Sequence, residues 1–187
     1  MISDFLDSDE PGPPSVAAKG LRREAGVGPA RVEAGVFIET SPAGRLARVV
    51  GPGEPIQDEG VWATDGRFRE LDADPADPRQ AAAVDRRVRV FKARLDCLMS
   101  HAGAARLADL LATVHDRTQD ERLAITQQEL GALVGLRRAT VNEALQALQD
   151  RKIVRIGRGR VDICNPEGLA AAACGCESGL ADPDMGS

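Results

Sequence analysis

The chain of 187 residues has two histidines, His101 and His115, and no cysteine before Cys97. So few imidazoles leave no nucleophile and base to pair, and neither a phosphate-binding glycine loop nor a metalloprotease motif occurs. We therefore read the sequence as that of a non-enzyme with no catalytic residue. No run approaches the roughly eighteen apolar residues of a membrane span. The start, Met1-Ile2-Ser3-Asp4, is acidic and lacks the apolar core of an export signal, so the expected location is the cytoplasm, with no membrane partner. Of the four cysteines, Cys97 falls on a predicted helix, Cys164 ends a strand, and Cys174-Gly175-Cys176 lies near the C-terminus. A Cys-x-Cys pair is a weak metal signal without further ligands at a suitable spacing. Reduced thiols are the expectation, with no metal site and no cofactor, and Cys174 and Cys176 are candidates for an incidental redox response.

What is present is concentrated between residues 126 and 163. Thr126-Gln127-Gln128-Glu129 has the form of a capping box, in which the Thr hydroxyl accepts from the third helical N–H and the Glu reaches back to the Thr N–H. Leu130, Leu133 and Val134 then make one apolar stripe, and Gly135 is the residue best able to end the helix in the left-handed conformation. A second helix is predicted from Arg138 to Asp150, with Val141, Ala144, Leu145 and Leu148 inward and Arg138, Asn142, Glu143, Gln146 and Gln149 outward. Ile153, Ile156, Val161 and Ile163 around Gly157-Arg158-Gly159 read as two short strands joined by a glycine turn. Helix, turn, helix and hairpin in that order are the sequence of a winged helix-turn-helix.

The charge agrees. Between Arg137 and Arg160 the positive residues are Arg137, Arg138, Arg151, Lys152, Arg155, Arg158 and Arg160 against Glu143 and Asp150, a local balance of 7 − 2 = +5 in a chain whose net charge is −5. An ordinary solvated face would account for the arginines alone, but the order of elements is independent of the charge count. A major groove admits one helix and is read by side chains of its first turns, while phosphates are held by arginines, hydroxyls and helix N-termini. Double-stranded DNA is the expected partner.

The run Ile125-Thr126-Gln127-Gln128-Glu129-Leu130-Gly131, then Val134-Gly135-Leu136-Arg137-Arg138-Ala139-Thr140-Val141, and later Ala147-Leu148-Gln149-Asp150 and Ile153, resembles the DNA-binding domain of the Crp/Fnr transcription regulators. The resemblance covers about residues 80 to 170. It implies a prokaryotic regulator whose second helix enters the major groove, with RNA polymerase as a possible further partner. In the family a typical pattern is Ser-Arg-Glu-Thr-Val, then a small residue and Arg. Here Arg138 and Thr140 match, whereas Ala139 stands for a base-reading Glu and Glu143 for a base-reading Arg. The target sequence should differ accordingly. The resemblance implies base reading by Arg137, Arg138, Ala139, Asn142, Glu143 and Gln146. It implies phosphate contacts from Thr126, Gln127, Gln128, Thr140, Arg155, Arg158 and Arg160. Arg138 can address guanine, Asn142 adenine and Glu143 a cytosine amino group. Arg137 replaces the usual capping Ser, so that cap should be lost.

Upstream, Val84, Val88, Phe91, Leu95 and Leu98 recur at steps of four, three, four and three, a heptad seam on one long helix. Such a stripe can also pack inside a monomer; the resemblance, which places a pairing helix here, favours a homodimer interface. A helix from about Ala104 to His115, carrying Leu107, Leu110, Leu111 and Val114, should pack under the winged helix, with His115 as a surface residue. Asn165-Pro166 opens a short terminal helix.

The first half reads differently. Residues 1–30 are rich in Asp, Glu, Pro and Gly and are expected to form a disordered acidic arm. Short β-like pieces over 31–39, 45–50 and 60–62 suggest a small β domain over 31–78, where the family carries an effector-binding β-roll. An eight-stranded roll of ordinary strands needs about eighty residues, so the sensor is expected to be truncated or degenerate. The family's cyclic-nucleotide turn has its nearest counterparts in Gly53-Glu54 with Arg67 or Arg69, but Pro55 and the acidic Gln57-Asp58-Glu59 run make a cyclic nucleotide improbable; the effector is unknown. Residues 1–78 hold eight Lys and Arg against fifteen Asp and Glu, a balance of −7, so this half should repel DNA.

The resulting expectation is an α+β protein: a small degenerate β-rich N-terminal region, a dimerisation helix over 79–100, a winged helix-turn-helix over 101–170 and a tail over 171–187. The favoured function is sequence-specific DNA binding as a dimer on a palindromic operator. The alternatives are a winged-helix protein-interaction module or heterodimer partner without base readout, and a thiol or metal redox sensor built on Cys97, Cys174 and Cys176.

Overall fold

A computed structural model describes residues 14–24, 30–41, 44–56, 59–71 and 78–177, with side chains omitted over 78–87. It is an α+β structure. Eight strands come first: β1 (Ser15–Ala17), β2 (Arg22–Arg23), β3 (Ala30–Ala34), β4 (Phe37–Thr40), β5 (Leu46–Val50), β6 (Pro55–Ile56), β7 (Gly60–Trp62) and β8 (Gly66–Glu70). They form two antiparallel sheets, ordered β1-β8-β3-β6 and β2-β7-β4-β5. The long helix α1 (Pro78–Ser100) follows, then α2 (Gly103–Thr118). The C-terminal half continues with β9 (Arg122–Leu123), α3 (Gln127–Val134), α4 (Arg138–Asp150), β10 (Val154–Gly157), β11 (Arg160–Ile163) and α5 (Pro166–Ala172).

Two expectations for the first half are corrected. Among the described residues eight strands are present, each two to five residues long and the first beginning at Ser15, so the reduction seen in the roll is one of strand length. The disordered arm does not extend over residues 14–24, where Val16 pairs with Arg67 and Arg22 with Val61. Composition argued for disorder, but a short polar segment can take its hydrogen bonds from strands distant in sequence. The remainder of the predicted arm lies outside the described residues.

Side-chain alternation along β4 explains how the halves join. Successive side chains of a strand point to opposite faces. Phe37 faces the other sheet, packing with Val32 and Ile56 there and with Trp62 and Val50 beside it in its own sheet; the Phe37 and Trp62 rings meet edge to face at 5.3 Å. Ile38 faces the other way and joins Val36 and Val49 in one continuous apolar core with Leu107, Leu110 and Leu111 of α2 and Leu130, Val141 and Leu145 beyond. All four residues of β4 are buried. Between β3 and β4 the chain turns at Gly35 (φ 87°), where a Cβ would stand 2.4 Å from the Asp65 carbonyl oxygen, so only glycine fits.

The β half is also closed by buried charge. Arg48 Nε lies 3.2 Å from Glu39 Oε2, its guanidinium donates to the Pro55 carbonyl at 2.7 Å, and Glu54 stands 3.8 Å away. Glu54 also meets Arg117 of α2 at 3.1 Å and accepts from the Gly51 N–H at 3.0 Å. A network of this kind compensates buried charges only while every member remains.

The chain past α5 does not start as a tail. Residues 173–177 fold back against α1, α2 and β5. Glu177 is 2% exposed; it pairs with Arg94 of α1, accepts from the Val49 N–H at 2.7 Å, and its own N–H donates to Asp109 at 2.9 Å. Residues 178–187 lie outside the described set. No helix among the described residues is long and apolar enough to cross a membrane.

Candidate nucleic-acid interface

The local signals of the helix-turn-helix are realised atom by atom. The Thr126 hydroxyl accepts from the Glu129 N–H at 3.1 Å, and the Glu129 carboxylate accepts from the Thr126 N–H at 2.7 Å, closing the capping box. Gly135 ends α3 at φ 69°, its N–H returning to the Gly131 carbonyl. Gly131 is itself buried against the turn: a Cβ there would come within 2.8 Å of the Leu136 carbonyl oxygen. One glycine within α3 and one at its C-cap thus leave room for the tight turn into α4.

Helix α4 spans Arg138–Asp150 and buries Val141, Ala144, Leu145 and Leu148. Its opposite face is open. Arg137, Arg138, Ala139, Thr140, Asn142, Glu143 and Gln146 are all exposed. Arg137 occupies the N-cap with no side-chain hydrogen bond to the first turn, leaving N–H groups free to meet an anion. Gln127, at the start of α3, donates from Nε2 to Asn142 Oδ1 at 3.3 Å, which orients the Asn142 amide. Gln146 donates to Asp150 at 3.2 Å.

The hairpin β10–β11 pairs Val154 with Ile163 and Gly157 with Arg160, turning at Arg158 and Gly159 (φ 69°). Arg155, Arg158 and Arg160 are exposed on it. Two features escaped the sequence reading. Strand β9 adds a third strand beside β11, too short at two residues to show a period. Gln149, expected outward, turns its Oε1 to accept from the Ile156 N–H at 2.9 Å and so locks the end of α4 to the hairpin. Asp162 moderates the basic face, lying 3.3 Å from Arg160 and 3.2 Å from Arg122. Arg155 and Arg158 therefore carry less compensated charge toward a phosphate than Arg160 does. Helix α2 reaches Thr118, three residues past His115, with Gln119 closing it at φ 55°; His115 Nδ1 meets the Asp120 carbonyl at 3.0 Å.

On α1, Val88, Phe91, Leu95 and Leu98 are 44–65% exposed, with Met99 at 86%. Val84 lies on the same helix, its side chain outside the described set.

The residues nearest to a cyclic-nucleotide turn are engaged internally. Glu54 belongs to the buried network with Arg48 and Arg117, and Arg69 pairs with Glu33 at 2.8 Å. A separate cavity of about 250 Å³ lies between the β2-β7-β4-β5 sheet and helices α2 and α3, with Ile38, Val61, Val114, Leu133, Arg22 and Glu129 among its lining.

The three cysteines named for the thiol or metal sensor alternative are brought together, and a histidine not assigned to them joins them. Cys97 and His101, four residues apart at the end of α1, meet Cys174 and Cys176 from the segment after α5, and the four donor atoms all lie within 4.8 Å of one another. Cys97 Sγ is 3.7 Å from Cys174 Sγ, and Cys176 Sγ is 3.4 Å from His101 Nδ1. Cys174 donates to Asp109 at 3.2 Å. Burial pushes the Cys97 and Cys174 thiols above their ordinary values and lowers the Arg94 guanidinium. The spacing Cys97-x-x-x-His101 on a helix was the missed signal; its partners are some seventy residues away.

A β sandwich joined through a long helix to an exposed recognition helix and basic wing defines a two-part protein with a winged helix-turn-helix output. Residues 105–172 match the family described as the Crp-like helix-turn-helix domain. Over 95 residues the chain is 28% identical to the HTH-type transcriptional regulator Cmr of Mycobacterium tuberculosis, a match covering 51% of this chain and 38% of that protein. The fold as a whole is similar to a CRP-family transcriptional regulator of Thermus thermophilus (19% identity, 85% of this chain and 96% of that chain, TM-score 0.64). A second CRP/FNR-family regulator of that organism is similar at 22% identity, 86% and 98% coverage and TM-score 0.65. The C-terminal half thus matches the Crp-like helix-turn-helix domain, and the fold as a whole is similar to that of CRP/FNR-family regulators.

Proposed function

We propose that this protein is a sequence-specific, DNA-binding transcription regulator that acts as a homodimer on a palindromic operator. The observation that carries the reading is the open first turn of α4. Arg137, Arg138 and Thr140 are exposed there, while Val141 and Leu145 anchor the helix from behind and Arg155 and Arg158 flank it on the wing. Arg138 is the leading base reader, suited to a guanine edge, with Asn142 and Glu143 addressing the following bases. Thr126, Gln127 and Gln128 at the N-terminus of α3, together with Thr140 and the wing arginines, hold phosphates.

Pairing rests on the exposed stripe of α1. A phenylalanine 65% exposed in line with Val88, Leu95 and Leu98 is apolar surface that a second copy of the helix would cover. Two recognition helices would then address half-sites about 34 Å apart. The −7 balance of the first 78 residues turns that half away from the phosphates. A protein-interaction role without base readout accounts less well for the exposed arginines at the start of α4. The regulator would act in the cytoplasm, with its effector, if it has one, unnamed; the occupied Glu54 argues against a cyclic nucleotide.

Sedimentation and salt-dependent DNA binding test the reading together. The wild-type chain should sediment as a dimer, and Phe91→Asp, which would place a charge in the seam, should sediment as a monomer with weakened operator binding. A Phe91→Asp protein that remains dimeric would remove the pairing proposal.

A further inference from the structure

We infer that Cys97, His101, Cys174 and Cys176 form a mononuclear tetrahedral site for a thiophilic divalent cation, zinc foremost, that clasps the end of α1 to the segment following α5. The donor set is three sulfurs and one imidazole nitrogen, the composition of a closed structural zinc site. The spacing is that of a single ion. With metal–sulfur bonds of about 2.3 Å and a metal–nitrogen bond of about 2.0–2.1 Å, tetrahedral angles put two sulfurs about 3.8 Å apart and sulfur and nitrogen about 3.5 Å apart. The Cys97–Cys174 pair stands at 3.7 Å and the Cys176–His101 pair at 3.4 Å. All four donors fall within 4.8 Å, too tight for a multi-iron core, whose thiolates must stand wider apart.

The surroundings suit such an ion. Three thiolates, a neutral imidazole and a divalent cation sum to −1, and Arg94 stands beside them, its charge shared with Glu177. Asp109 holds the loop from behind by accepting from the Glu177 N–H; the Cys174 thiol, which donates to the same carboxylate at 3.2 Å, gives up that proton when it binds the ion. The Cys174 N–H also donates to the Ala105 carbonyl at 3.3 Å, registering the loop against α2. Cys97 reaches the site from the buried side of α1 while Phe91 and Leu98 are exposed on the same helix. An ion there fixes the last turn of the central helix to the end of the winged-helix domain without occupying the proposed pairing stripe.

Cobalt(II) titration of the full chain, prepared metal-free under reducing conditions, tests the assignment, because tetrahedral thiolate-bound cobalt has its own visible and charge-transfer absorption. The wild-type chain and Cys164→Ala, whose exposed thiol lies outside the cluster, should each take up one equivalent with that spectrum, displaced by zinc. His101→Ala and Cys176→Ala, both at less buried positions, should bind at least tenfold more weakly while keeping the wild-type far-ultraviolet circular dichroism. Absence of the tetrahedral spectrum in the wild-type chain would overturn the site, as would equal binding by folded His101→Ala and Cys176→Ala, an equal loss in Cys164→Ala, or isolation of the protein with iron and sulfide instead.

Discussion

The two halves of this chain are specified in opposite ways. In the winged helix, each element carries its own boundary signals. Thr126 and Glu129 start α3, Gly135 stops it, and the stripe Val141, Ala144, Leu145 and Leu148 fixes which face of α4 is buried. In the β half, most pairings are distant in sequence: β1 finds its partner at β8, with Ser15 opposite Phe68 and Ala17 opposite Gly66. Its interior also holds an arginine between two glutamates, where the winged helix is closed by aliphatic packing. Charge makes one half acidic and the other locally basic around α4 and its hairpin, on a shared apolar core.

The comparison can be broken most forcefully at Arg48. Arg48→Ala removes the buried ion pair with Glu39 and part of the Glu54 interaction, and removing one partner of a buried pair costs about 3–5 kcal/mol. Denaturant unfolding should show that loss. A change no larger than that of an exposed pair, under about 1 kcal/mol, would mean that the β half is held by packing alone.

On the other side, Arg138→Ala should weaken binding to a preferred operator by about 1–3 kcal/mol and relax specificity at one base. Arg158→Ala should weaken all duplexes alike and lower the salt slope by roughly one. Anisotropy titrations over a range of salt separate the two; equal losses on every sequence would show that α4 does not read bases. The smallest effect is expected from Thr126→Ala, which removes the capping hydroxyl at a cost of about 1 kcal/mol in thermal stability. A loss above about 2 kcal/mol would indicate that Thr126 does more than cap.

These differences also explain what the sequence disclosed. The bounds of α4 were legible to the residue because capping and the period of an amphipathic helix act within a turn or two. The strands were half legible. Residues 46–50 and 60–62 announced themselves through Val, Leu and Trp, whereas β1, β2, β6 and β8, two to five residues long and partly polar, acquire their identity only from their neighbours. The same limit hid the place of His101 beside the cysteines, because Cys97 and Cys174 meet through the return of the chain after α5 and no short motif spans the four residues. It hid the job of Gln149 too, which looks outward on a helical wheel and is taken by the wing.

Base readout by α4 is the centre of this account, and selecting bound duplexes from a random DNA pool addresses it most directly. The selection is run at two salt concentrations with reduced protein and no added effector. The account predicts enrichment of a palindrome with half-sites one helical turn apart, persisting at the higher salt and lost in Arg138→Ala. Binding that shows no enriched sequence and vanishes uniformly as salt rises would contradict it.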